Sequence, residues 1–273
     1  EIGVFVYDKR GTGRSDGKYT QNFHLLADDA VAAMSEARRL AGDRASEFGF
    51  EGGSQAGWII PLAAHKSQPD FQVIAYGLAE GPLAEDRDEV IEQLCRAGYD
   101  DQVISKAKEV TDATGRVIAS GFRDGFDQLS KVRSKYQDEP WYAAFEGEFT
   151  GDLLYYPNWL SRLLGPWFDV GTTWDHQPLK FLQANSVPTL WMLAGKDREA
   201  PSTNTQNILR DLQSQQPRLD VLVFPEADHG MIEYKMQGQT LVPQRFSEGY
   251  FAMMVQWIKT KRLNDLPVNT QLD

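Results

Sequence analysis

The chain has 273 residues, enough for one sizeable core with an inserted subdomain. Its hydrophobic share of 41% and charged share of 25% are ordinary for a globular protein, and its net charge of −11 argues against nucleic acid, whose phosphates need clustered Lys and Arg. No apolar run reaches the roughly 18–20 residues of a membrane span, and the single cysteine, Cys95, excludes an internal disulfide.

Residues 2–7 predict a strand, being apolar and β-branched or aromatic. The loop Tyr7-Asp8-Lys9-Arg10-Gly11-Thr12-Gly13-Arg14-Ser15 follows. Its glycines lack the Gly-Lys-Ser/Thr ending of a phosphate loop and the third glycine of a dinucleotide fingerprint. A tight turn is expected there, beside the next strand-to-helix corner. Residues 22–40 form an amphipathic helix with Leu25, Ala30, Ala33, Met34 and Ala37 on one side. A strand over 46–51, a helix over 55–65 and a strand over 72–77 continue the alternation. Strand alternating with helix predicts a parallel sheet covered on both faces.

The pattern then changes. Helical runs over 85–97, 102–123, 125–136 and 158–164 fill residues 83–177, with no convincing strand. Strands return over 187–195 and Leu219–Phe224, and a last helix is expected over 244–261. The domain reading is a core of 1–82 and 178–273 interrupted by a helical cap, or lid, of 83–177. The cap is rich in aromatics, and Trp141, Tyr155, Trp159 and Trp167 are candidate walls of a substrate pocket. The competing expectation is that these rings are the cap's own core. Acidic cap residues such as Glu146, Glu148 and Asp152 could hold a substrate amino group; solvated surface is the simpler expectation.

The most informative stretch is Phe48-Gly49-Phe50-Glu51-Gly52-Gly53-Ser54-Gln55-Ala56-Gly57. An apolar run meets small residues, a serine stands at the corner, and a helical run follows. This is the pattern of a nucleophile elbow, in which small residues two before and two after the serine let strand and helix pack tightly. Here those positions are Gly52 and Ala56. Downstream, Gly195-Lys196-Asp197 follows one predicted strand and Asp228-His229-Gly230 the next. Asp197 and His229 thus lie just past strand ends, where ligands bind in open α/β sheets. Asp228 is a rival acid, but a residue adjacent to the histidine rarely reaches its ring. His24, His65 and His176 fall in helices or a connection and are expected to be structural, and Cys95 has no companion motif.

With these segments the chain resembles the α/β-hydrolase superfamily, in particular its bacterial esterase and serine-aminopeptidase-like branch. The resemblance covers about 1–80 and 180–265. It implies an α/β-hydrolase fold, a mostly parallel sheet with helices on both faces, and the chain order Ser54, Asp197, His229 for a catalytic triad. Ser54 would be the nucleophile, His229 the base and Asp197 its orienting acid, with the backbone N–H of Gln55 as one oxyanion donor. The expected reaction is hydrolysis of a small carboxylic ester through an acyl-enzyme, without metal or organic cofactor. Alternatives are an aminopeptidase or amidase using the same residues, and a non-catalytic ligand-binding member of the fold. The resemblance also makes strand 2–7 the fourth of the fold and the serine strand the fifth, with the third between them. It therefore implies N-terminal strands and a second oxyanion donor upstream of Glu1, in a longer protein. Oligomeric state and cellular compartment are not encoded in any of these signals.

Overall fold

The computed structural model describes residues 1–238 and 240–263. In chain order the elements are α1 (Phe23–Ala41), β1 (Gly49–Gly53), α2 (Ala56–Ser67) and β2 (Phe71–Ala75). Five helices follow: α3 (Pro82–Arg96), α4 (Asp101–Ala119), α5 (Phe126–Tyr136), α6 (Thr150–Tyr155) and α7 (Asn158–Phe168). Then come α8 (Pro178–Gln183), β3 (Thr189–Ala194), α9 (Thr203–Gln213), β4 (Leu219–Phe224), β5 (Ala227–Asp228), β6 (Ile232–Gln237), β7 (Thr240–Phe246) and α10 (Tyr250–Thr260). The chain divides into two compact units. One comprises Glu1–Glu80, Gln177–Asp197 and Ser202 onwards; the other comprises Gly81–His176 with Arg198–Pro201.

The first unit is built on a parallel sheet in the order β1-β2-β3-β4. Both faces are buried, and the period-2 alternation of a strand sorts its side chains between two cores. Val73, Ala75, Leu190, Met192, Leu222 and Phe224 pack with Met254 and Trp257 of α10. Ile74, Trp191, Leu193 and Val221 pack with Ile60 of α2 and Leu209 of α9. On the same unit α1 packs against α2, where the rings of Phe23 and Trp58 stack at 4.9 Å. Asn22 caps α1 by accepting from Leu25 N–H, which satisfies one of the donors left open at a helix start.

Two expectations about this unit are corrected, and one element has no counterpart among them. Residues 2–7 form no strand: they pair with nothing among the described residues, and Val4 and Val6 are 83% and 82% exposed. Their β-propensity describes a fit to a sheet, and no described strand lies beside them to supply one. The helix expected over 244–261 begins only at Tyr250, because 244–246 belong to β7 and Gly249, at φ +81°, makes the break. The antiparallel ribbon β5-β6-β7 was not anticipated at all. Most of β6 and β7 faces solvent on both sides, so no buried alternation marks it. The short helix α8 and the longer α9 of this unit, like α6 of the other, are further elements without a counterpart in the expected pattern.

Among its described residues the second unit contains helices and no strand, as the pattern change after residue 82 predicts. Its core joins Val90 and Leu94 of α3, Val110 and Val117 of α4, Leu129 of α5 and Leu153 of α6. Asp100 caps α4 by accepting from Gln102 and Val103 N–H. The buried carboxylate of Asp86 accepts from Phe149 N–H, Thr150 N–H and the Thr150 hydroxyl, so it holds the start of α6.

Candidate active site

Ser54 stands directly after β1, at the turn into α2. Its φ is +54°, a conformation most side chains avoid. The turn is tied into the sheet by Ser54 N–H, which donates to Ala75 O at 2.9 Å, and is closed by Gly57 N–H donating to Ser54 O. The small residues of the motif have a visible reason. A methyl group at Gly52 would sit 2.8 Å from Ala56 Cβ, and one at Gly57 would sit 3.0 Å from the backbone of Leu78. Strand, helix and the segment after β2 meet so closely that larger side chains are excluded. Gln55 N–H, at the open N-terminal end of α2, donates to no acceptor among the described residues.

Asp197 follows β3 and His229 follows β4, as their positions past the predicted strands imply. His229 Nδ1 lies 3.0 and 3.1 Å from the two carboxylate oxygens of Asp197, whose side chain is only 1% exposed. The imidazole is itself four-fifths buried. Asp228 is occupied differently: its Oδ1 accepts the backbone N–H of His229 at 2.9 Å. The adjacent carboxylate thus shapes the loop while the distant one reaches the ring.

The loop 8–16 packs against this corner. Lys9 Nζ donates to Gln55 Oε1 at 2.6 Å, and Arg10 makes a paired contact with Asp29 of α1 at 2.5 and 2.7 Å. Within the loop, Gly11 N–H donates to Asp16 O and Arg14 N–H to the Asp8 carboxylate. The loop is a self-bonded turn beside the serine, as the absence of a phosphate-loop ending predicts. Sequence reasoning missed Tyr76, whose ring lies edge-on to that of His229 at 5.0 Å and 75°. No motif marks it, since its place depends on the pairing of β2 between β1 and β3.

The aromatic residues of the helical unit separate into two sets. Trp141, 2% exposed, packs with Tyr136 and Phe145 in that unit's core, the competing expectation for these rings. Tyr155, Trp159 and Trp167 are instead exposed, the last by 85%. His176 is buried in the helical unit, His65 packs edge-on to Phe181, and Cys95 is an exposed free thiol. Among the described residues no group of three or more His, Cys, Asp or Glu could hold a metal ion, and no helix is long and apolar enough to cross a membrane.

No protein-family model matches the chain, and none of the curated proteins does. Among solved structures the chain is similar to a thermophilic esterase from Thermogutta terrifontis, at 20% identity and a TM-score of 0.38, over 81% of this chain and 71% of that one. It is similar to an esterase from Pyrococcus furiosus at 12% identity and a TM-score of 0.43, over 80% of this chain but only 59% of the other. An α/β fold family hydrolase from Bacillus anthracis is similar at 15% identity and a TM-score of 0.43, over 93% of this chain and 80% of its own. Likenesses at this level concern the fold and say nothing of substrate. A parallel sheet in the order β1-β2-β3-β4 with helices packed on both faces is consistent with the α/β-hydrolase fold.

Proposed function

We propose that the protein is a serine hydrolase that cleaves small carboxylic esters through Ser54, His229 and Asp197. The observation that carries this reading is the pairing of His229 Nδ1 with the buried Asp197 carboxylate, in the unit that also holds Ser54 in a strained turn. A hydroxyl is a weak nucleophile and needs a neighbouring base. With Nδ1 turned to Asp197 and its proton donated there, Nε2 is the nitrogen that takes the Ser54 proton during attack on the ester carbonyl. Asp197 then stabilises the imidazolium without itself becoming protonated. Gln55 N–H, at the N-terminal end of α2, donates to the oxygen on which charge develops. His229 returns its proton to the departing alcohol, and water, activated by the same nitrogen, releases the acid and regenerates Ser54. Nucleophile, base and acid are all side chains, so the reaction calls on no metal or organic cofactor.

The test is labelling by a fluorophosphonate probe, with turnover of p-nitrophenyl esters of graded chain length beside aminoacyl-p-nitroanilides. Wild-type protein should be labelled at Ser54 and hydrolyse the esters. Ser54→Ala should abolish labelling and lower kcat on the order of 10⁵-fold or more while the fold persists. Labelling of Ser54→Ala at the wild-type level overturns the nucleophile. Turnover of the anilides in preference to the esters assigns an aminopeptidase or amidase instead, and no labelling at all assigns a non-catalytic member of the fold.

A further inference from the structure

We propose that Tyr76 is a positioning residue that holds the His229 imidazole toward the serine turn; the inference rests on the triad reading above. The problem it solves is one of span. Ser54 follows β1 and His229 follows β4, the two ends of the four-strand order, which three strand spacings separate by about 14 Å at the sheet. The histidine must lean back across the ends of β2 and β3 for its ring to serve the serine. Asp197, following β3, holds one edge of that ring. Tyr76, the first residue past β2, stands in the interval that remains.

Three independent features mark Tyr76. Its φ is +40°, rare for a bulky side chain and a sign that the surroundings enforce the conformation. The backbone is held there because Tyr76 N–H donates to Met192 O of β3 at 2.7 Å, while Trp191 Nε1–H donates to Gly77 O. Gly77 in turn lies against the serine turn, where a methyl group would come within 2.8 Å of Ser54 O. Secondly, the phenol ring lies on the serine strand: a methyl group at Gly53 would be 2.2 Å from the Tyr76 phenol carbon and oxygen. Glycine at position 53 makes room for this ring. Thirdly, the same ring meets His229 in an edge-on contact, centroids 5.0 Å apart. One side chain therefore touches both the residue before the nucleophile and the base. Contacts of this geometry favour one mutual orientation of the rings, which is what a base needs. The aromatic ring, more than the hydroxyl, carries the role.

The experiment compares wild type with Tyr76→Leu, Tyr76→Phe and Gly53→Ala. Four histidines give few imidazole resonances, and the loss of one set in His229→Gln assigns that of His229. Tyr76→Leu removes the ring and should move the His229 imidazole protons away from their wild-type shifts. It should lower kcat roughly 10- to 100-fold, with KM changed by less than about threefold, because misplacement of a catalytic group acts on the chemical step. Tyr76→Phe keeps the ring and should restore the His229 shifts and bring kcat within about threefold of wild type. Gly53→Ala expels the ring from its seat and should reproduce the Tyr76→Leu shifts, which keeps the test decisive if the leucine variant does not fold. Unchanged His229 resonances in the leucine and Gly53→Ala variants, or a phenylalanine variant as impaired as the leucine one, overturn the proposal. Wild-type protein whose His229 shifts depend on Tyr76 but whose Ser54 takes no fluorophosphonate overturns the hydrolase reading and leaves the contact standing.

Discussion

Replacing Asp197 by Asn separates the two carboxylates that flank the histidine. Asp197 has a side chain 1% exposed, and both its oxygens lie within 3.1 Å of His229 Nδ1, so it accepts the Nδ1 proton and leaves Nε2 able to accept another. An asparagine amide in the same place offers N–H groups to Nδ1 and favours the opposite tautomer. Nε2 then carries the proton and cannot take that of Ser54. The shape is nearly unchanged, so the loss is chemical: kcat should fall about 10⁴-fold, equal to about 5.5 kcal/mol of barrier. Asp228→Asn makes the contrast. Asp228 Oδ1 accepts the His229 backbone N–H, and an asparagine carbonyl can accept it as well, so kcat should stay within about threefold of wild type. The assay is steady-state hydrolysis of p-nitrophenyl acetate, with circular dichroism melts to show that both variants fold. A larger loss for Asp228→Asn than for Asp197→Asn, or a loss below tenfold for Asp197→Asn, would refute the assignment of the acid.

Two further predictions concern the helical unit. Burial, reinforced by the neighbouring Glu148, Asp86, Glu199 and Glu146, pushes the Glu89 carboxyl up to about 8 from its ordinary 4.5. Between those values the unfolded chain releases the proton while the folded chain keeps it. The stability this group contributes is therefore complete below pH 4.5 and is lost as pH rises to about 8. The ceiling is about 5 kcal/mol at 1.36 kcal/mol per pH unit, and partial exposure screens it to about 2. Glu89→Gln should accordingly gain about 2 kcal/mol over wild type between pH 5 and pH 8 in urea unfolding, and an equal difference at both pH values would disprove the linkage. Asp86→Ala leaves Phe149 N–H and Thr150 N–H without their acceptor in a buried site, while the Thr150 hydroxyl keeps its contact with Thr114 Oγ1. Thermal or urea unfolding should show a loss of about 2–4 kcal/mol, and a loss under 1 kcal/mol would mean that water or another group replaces the carboxylate.

The candidate site was legible to an unequal degree. Gly52, Ser54 and Ala56 could be read because a tight strand-to-helix turn restricts residue type over a few neighbouring positions. Asp197 and His229 could be read because each follows a buried, apolar strand, and a parallel sheet brings all such ends to one edge. The same logic failed wherever a segment's state depends on a distant partner. Residues 2–7 have the composition of a strand but pair with nothing among the described residues. The ribbon of β6 and β7 exists through its own pairing, without a buried face to imprint a pattern. Trp141 and Trp167 are indistinguishable in sequence, yet one is core and the other lies open to solvent.

What the sequence by itself determined was local chemistry: which residues could act as nucleophile, base and acid, the alternation that makes a parallel sheet, and the helical character of the middle of the chain. Each rests on interactions between near neighbours or on burial that repeats with the period of the backbone. Only the tertiary structure supplied the contacts themselves, the Asp197 carboxylate on the ring nitrogen of His229 and the Asp228 carboxylate on the His229 backbone N–H. It alone set Lys9 on Gln55, and Tyr76 between Gly53 and His229. Those contacts join residues dozens of positions apart, and they exist because strand order, which no local pattern encodes, places the ends of β1, β2, β3 and β4 side by side.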